Sequence, residues 1–209
     1  MPGLWNLGIL ALALLIARPL MRVIIALVGG RKIGDAALAK QPDTIHLVRA
    51  GDTAWKHAEK TVPLVQPLLD AGFRDAGVYV VDEMPGLVVQ LLVEPAAAFL
   101  ACIYEHPKAG HWVDVAQSYE GGGGFTVSSM TDPGLDARPG YATDHMPHAS
   151  SVALLARAKS HVAAGSPMWI STEQASQRFE QVYAESIAWR KQHGVSRREV
   201  VNVAMKKAA

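Results

Sequence analysis

Apolar and polar positions along the chain fall into three regimes. The first is nearly all apolar. Residues 3–17 read GLWNLGILALALLIA, with Asn6 the only strongly polar side chain, and a second apolar run, Val23 to Val28, follows Arg18, Pro19 and Arg22. A membrane span needs roughly 20 apolar residues at a 1.5 Å rise per residue, and Pro2 to Leu20 just reaches that length. The pattern therefore predicts a membrane anchor over residues 1–30. Leu20 to Val28 then forms an interfacial helix, opened by Pro19 and ended by Gly29 and Gly30. The other arrangement is one tilted helix from Leu4 to Val28, kinked at Pro19. It would place Arg18 and Arg22 near mid-membrane at a cost of roughly 2.5–3.5 kcal/mol each. Arg18, Arg22 and Trp5 are accordingly the expected lipid or partner contacts.

The second regime, residues 31–50, is a polar-to-mixed connector, with Ile45 to Val48 able to form an edge strand. The third, residues 51–209, alternates between helical and strand periodicity. Asp52 has N-cap character, and Trp55, Ala58, Val62, Val65 and Leu69 recur at helical spacing. Pro63 and Pro67 predict two short pieces or a kink near Thr61, with Gly72 closing the element and Phe73 packed beneath it. Five strand-like runs follow: 77–81, 87–93, 97–104, 112–118 and 125–130. Short breaks rich in proline and glycine separate them, which predicts an antiparallel meander. Trp112, Asp114 and Ala116 share one face of the fourth run, and Val113, Val115 and Gln117 the other. Residues 131–149 read as a long irregular loop, a feature that is more often functional than not. Helices are expected over 151–162, from Ser171 to His193, and after Ser196. Ser171/Gln174 and Ser196/Glu199 have capping-box spacing. The expected fold class is α+β: an N-terminal transmembrane helix, then a five-stranded antiparallel meander packed with helices.

Charge refines the topology. The chain has 209 residues and a formal net charge of +1, so it has no global bias toward nucleic acid. Arg18, Arg22, Arg31 and Lys32 all follow the first apolar run. The positive-inside rule then predicts an outside N-terminus and a cytoplasmic domain at a bacterial inner membrane. A cleaved signal peptide would need positive charge before its apolar region, and none is there. Arg190, Lys191, Arg197, Arg198, Lys206 and Lys207 make the C-terminal region basic, which a solvated helical face explains. Cys102 is the only cysteine, so no internal disulfide is possible. It lies mid-strand and reads as a small buried hydrophobe.

Histidine and carboxylate supply the candidate chemistry. Glu105, His106 and His111 share one hairpin turn, and Asp144, His145 and His148 share the long loop. If the loop folds over that hairpin, the six groups could hold zinc or another divalent transition metal. None has the HExxH spacing of a helical zinc site, so exposed loop histidines are the simpler reading. Gly121 to Gly124 lie between two strands rather than before a helix, which favours a hairpin tip over a phosphate cradle. Ser128, Ser129 and Asp132 lack a G-x-S-x-G elbow, and consecutive strand residues face opposite ways.

LLDAGF at 68–73, ACIYEHPKAGHWVDV at 101–115 and YEGGGGFTVSS at 119–129 together resemble a group of bacterial membrane-anchored α+β proteins. These share a GF…YEHP…WVD…YxxG…T pattern. The resemblance implies a shared domain over about residues 50–140 and no particular activity.

These readings point first to a membrane-anchored binding module or accessory subunit of a membrane protein complex. Such a module has no chemistry or cofactor of its own, and its partners are the bilayer and a membrane protein. The second reading is a metal-dependent hydrolase built on the Glu105, His106, His111, Asp144, His145 and His148 set.

Overall fold

A computed structural model of the chain describes residues 30–206, in two compact units. The larger comprises Pro42–Asp132 and Ala137–Ala188. It is built on one seven-stranded sheet: β1 Leu47–Ala50, β2 Arg74–Val81, β3 Val88–Glu94, β4 Phe99–His106, β5 Gly110–Ser118, β6 Gly124–Ser128 and β7 Tyr141–His145. Strand order follows the sequence from β1 to β7. The first six strands pair antiparallel, as short connections require, and β7 pairs parallel to β6.

Alternation along the central strands produces two buried faces. One carries Leu92, Phe99, Ala101, Ile103, Val113, Val115, Phe125 and Val127 beneath two helices, α2 (Ala58–Asp70) and α3 (Ser151–Ser160). The other carries Tyr79, Val89, Leu91, Val93, Leu100 and Cys102. Ala175, Phe179 and Tyr183 of helix α4 (Ala175–His193) pack against it. Helix α2 runs unbroken through Pro63 and Pro67, without the expected division near Thr61. Pro63 is exposed, so the lost backbone bond opens toward water, while Val65 and Leu68 stay anchored in the core. A Schellman turn ends the helix: the Phe73 N–H donates to Leu68 O at 3.1 Å and the Gly72 N–H to Leu69 O at 3.0 Å. Gly72 has φ +97° and Phe73 is buried, as the sequence predicts.

The described part of the smaller unit is residues 30–41, 133–136 and 189–206. Helix α1 (Arg31–Ala39) occupies what the sequence presents as connector. A Cβ on Gly30 or Gly34 would stand 2.6 Å from Val200 Cγ1 or 2.8 Å from Val195 Cγ2. The missing side chains thus let the helix backbone approach the segment around helix α5 (Arg197–Lys206). Asp35 Oδ1 accepts the Val195 N–H at 2.8 Å on the same side.

Two expectations are corrected here. The sheet is mixed and seven-stranded, not a five-stranded antiparallel meander. The added strands sit at its two edges. β1 has only four residues, and β7, YATDH, joins mainly through its backbone, so neither needs an apolar alternation. Second, no helix among the described residues is long and apolar enough to cross a membrane. The described helices are amphipathic or charged; even α4, with 19 residues, carries arginine, glutamate and lysine along its length. The transmembrane, single-pass and inner-membrane assignments are therefore not supported. The stretch that suggested them, with Trp5, Arg18 and Arg22, lies outside the described residues.

Candidate functional site

The register of β4 to β7 places a line of polar side chains across one sheet face. Cys102 pairs with Asp114, Asp114 with Ser128, and Ser128 with His145. Tyr104 and Trp112 flank this line, opposite one another, their rings stacked at 4.4 Å between centroids. Paired positions on neighbouring strands point to the same side, so four strands converge on one row.

Asp114 is the centre. Burial pushes its carboxyl up to about 6, while hydrogen-bonding groups of Ser128, Trp112 and Tyr104 and the charge of His145 pull the other way. Its Oδ1 meets no hydrogen-bond partner among the described residues. Burial, with the nearby Asp114 charge, also pushes the Cys102 thiol up, and burial holds the Tyr104 phenol well above its ordinary range. The thiol therefore stays protonated and is a poor nucleophile. Ser128 Oγ accepts the Met130 N–H at 3.1 Å and faces a carboxyl, not an imidazole. His145 Nδ1 lies 3.0 Å from Met130 O; a carbonyl only accepts, so the imidazole donates there. Its Nε2 is 3.9 Å from Asp132 Oδ1, too far for a hydrogen bond. Ser128 and Tyr104 thus hydrogen-bond the Asp114 carboxyl, while the His145 Nδ1 is turned to a backbone carbonyl. Ser129, on the opposite face, accepts the Val113 N–H at 2.8 Å through Oγ.

The histidine set named by sequence is spread over different surroundings. Glu105 and His111 are cross-strand partners on the face beneath α2, with Glu105 Oε1 3.6 Å from His111 Nε2. Glu105 Oε2 accepts the Lys56 N–H at 2.9 Å, and His111 Nε2 has no partner within hydrogen-bond distance among the described residues. His106 turns inward on its own hairpin, its Nδ1 accepting the Lys108 and Ala109 N–H groups at 3.2 and 3.1 Å. Asp144 forms an ion pair with Arg157 of α3, and its neighbour His145 faces the opposite side of β7. His148 sits at φ +63° in the turn after β7. Among the described residues no three His, Cys, Asp or Glu groups are arranged to hold one ion.

A cleft of about 440 Å³ opens in the larger unit between Arg74, Val93, Pro95, Trp169, Ile170 and Glu173. Its outer wall is fixed by backbone bonds: Glu120 N–H to Ser166 O and Met168 N–H to Ser118 O, both 2.8 Å. Trp169 follows directly and is 58% exposed. Within the wall, Ser171 N–H donates to Gln174 Oε1 at 3.1 Å and Thr172 Oγ1 to Glu173 Oε1 at 2.8 Å. Hydrogen bonds from the Ser171 side chain, its own backbone and Thr172 lower the Glu173 carboxyl to about 2. The cleft thus presents one aromatic face, one guanidinium and one firmly ionised carboxylate. Trp169 escapes sequence reasoning because the run around it has no periodicity to mark it.

Compared with family profiles, curated proteins and solved structures, the chain matches none of them.

Proposed function

We propose that the chain is a binding module or accessory subunit that recognises another protein and carries no chemistry of its own. The observation that carries this reading is Trp169, an indole more than half exposed on a segment pinned by backbone bonds beside Arg74. Tryptophan and arginine are the side chains most enriched where interfaces concentrate their binding energy. A pre-positioned indole also loses little conformational entropy on binding.

The full-length chain, used as bait in a lysate of its source cells, tests this. A protein retained by the wild type and lost with both Trp169→Ala and Arg74→Glu supports the reading. Equal capture by wild type and variants overturns it. So does a metal-stimulated hydrolytic activity that disappears with His111→Ala and His145→Ala.

A further inference from the structure

A second cavity, sharing no residue with the Trp169 cleft, lies between helix α2 and the β2–β3 part of the sheet. Its volume is about 300 Å³, within the range of small-ligand sites. Trp55, Val62, Val65 and Leu69 form its apolar walls, and Asp75 and Gln90 are its polar lining from the strands.

Gln90 is the anomaly. It stands in β3 between apolar, buried residues from Val88 to Val93, is only 7% exposed, and lines the cavity. A carboxamide here sets a polar group at the cavity where an apolar residue would continue the run of the strand. An amide facing a cavity is satisfied when the cavity is filled by something that bonds to it. Asp75 supplies the second polar contact. One of its oxygens, Oδ1, accepts the Gly77 N–H at 2.9 Å across the β-bulge, which orients the carboxylate. The other oxygen is left for a donor.

We infer that this cavity binds a small amine with an apolar body. The ammonium group donates to the Asp75 carboxylate and the Gln90 carbonyl, and the body lies against Trp55, Val62 and Leu69. The sign of the ligand follows from the lining, because an anion would meet Asp75 with like charge. An uncharged hydrocarbon of the same size would offer Asp75 and Gln90 no polar contact.

Phenethylamine, 3-phenylpropionate and ethylbenzene share one apolar body and differ in charge, so they serve as probes. Binding to the full-length protein is read from the Trp55 indole N–H resonance, assigned with Trp55→Phe. Phenethylamine should shift it saturably, with the other two at least about tenfold weaker. Asp75→Asn and Gln90→Leu should each weaken the amine about tenfold. Val62→Trp, at a position 59% exposed, fills the cavity without disturbing the core and should abolish the shift. The inference is overturned if phenylpropionate or ethylbenzene binds as well as the amine, if no probe gives a saturable shift, or if Val62→Trp leaves the shift intact. Because this cavity and the Trp169 cleft have no residue in common, failure here leaves the partner-binding reading standing, and the reverse holds too.

Discussion

Ser196 and Glu199 cap each other. The Glu199 N–H donates to Ser196 Oγ at 3.1 Å, and the Ser196 N–H donates to Glu199 Oε2 at 2.8 Å. The same carboxylate accepts the Asp136 N–H at 2.7 Å and Arg190 Nη1 at 2.9 Å through Oε1. Glu199 is 1% exposed, so this capping box is also a buried ion pair.

Glu199→Ala should therefore cost far more than loss of a cap. It strands the Arg190 guanidinium, which is 16% exposed, and should destabilise the smaller unit by about 3–5 kcal/mol. Ser196→Ala removes only the cap and should cost about 1 kcal/mol. Amide hydrogen exchange across α5 would measure both.

Asp114 makes stability depend on pH. Its carboxyl rises from 3.8 unfolded to about 6 folded, so between those values the folded chain binds more protons than the unfolded one. The contribution of Asp114 is fully present below pH 3.8 and is lost as pH rises through about 6, on the order of 3 kcal/mol in all. Asp114→Asn should abolish this downward slope and raise stability at neutral pH. Urea unfolding of both proteins across pH 4–7 would show it, and an unchanged slope would rule the account out.

Glu105 should behave as a structural acceptor. It holds the Lys56 N–H at 2.9 Å while itself buried, so Glu105→Ala leaves that donor without its partner and opens space beside His111. A loss of about 2–3 kcal/mol is expected in thermal unfolding.

The four glycines after Glu120 are not equivalent. Gly122 and Gly123 both have positive φ, +104° and +91°. A Cβ on Gly122 meets nothing within 4 Å, whereas one on Gly123 would stand 2.7 Å from the Gly140 carbonyl oxygen. Gly122→Ala should cost about 1 kcal/mol from backbone conformation alone. Gly123→Ala should cost a further ~1–3 kcal/mol, because backbone must move. A difference near zero in urea midpoints would remove the steric argument.

The elements with their own local chemistry were the ones legible in the sequence. The Ser196/Glu199 spacing, the Gly72 stop and Phe73 beneath it, and Ala175 with Phe179 on one helical stripe all appear where the pattern places them. Strands β2 to β6 were readable because prolines and glycines bracket them. β7 was hidden, since YATDH has no apolar alternation and is held by backbone pairing with a strand that precedes it by a long excursion. Helix α1 was hidden because its glycines, which lower helix propensity, serve close approach. The polar row around Asp114 could not be seen for a different reason. Trp112 and Asp114 were known to share a face, but joining them to Cys102, Ser128 and His145 requires the register of four strands. Register is a long-range property, and single-strand periodicity is silent about it.

The parallel seam between β6 and β7 has a consequence for how the sheet comes apart. Every other seam closes through an antiparallel neighbour, most of them by short turns, whereas β7 returns only after the irregular stretch from Ser129 to Gly140. Closing that longer loop carries a greater entropic cost, and parallel pairing gains slightly less per residue. Release of β7 is thus a partial opening available at this edge of the sheet. It would carry His145 away from Ser128 and admit water to Asp114, while the six-stranded meander stayed intact. The protonation state of a carboxyl buried in the sheet is in this way tied to the breathing of a single edge.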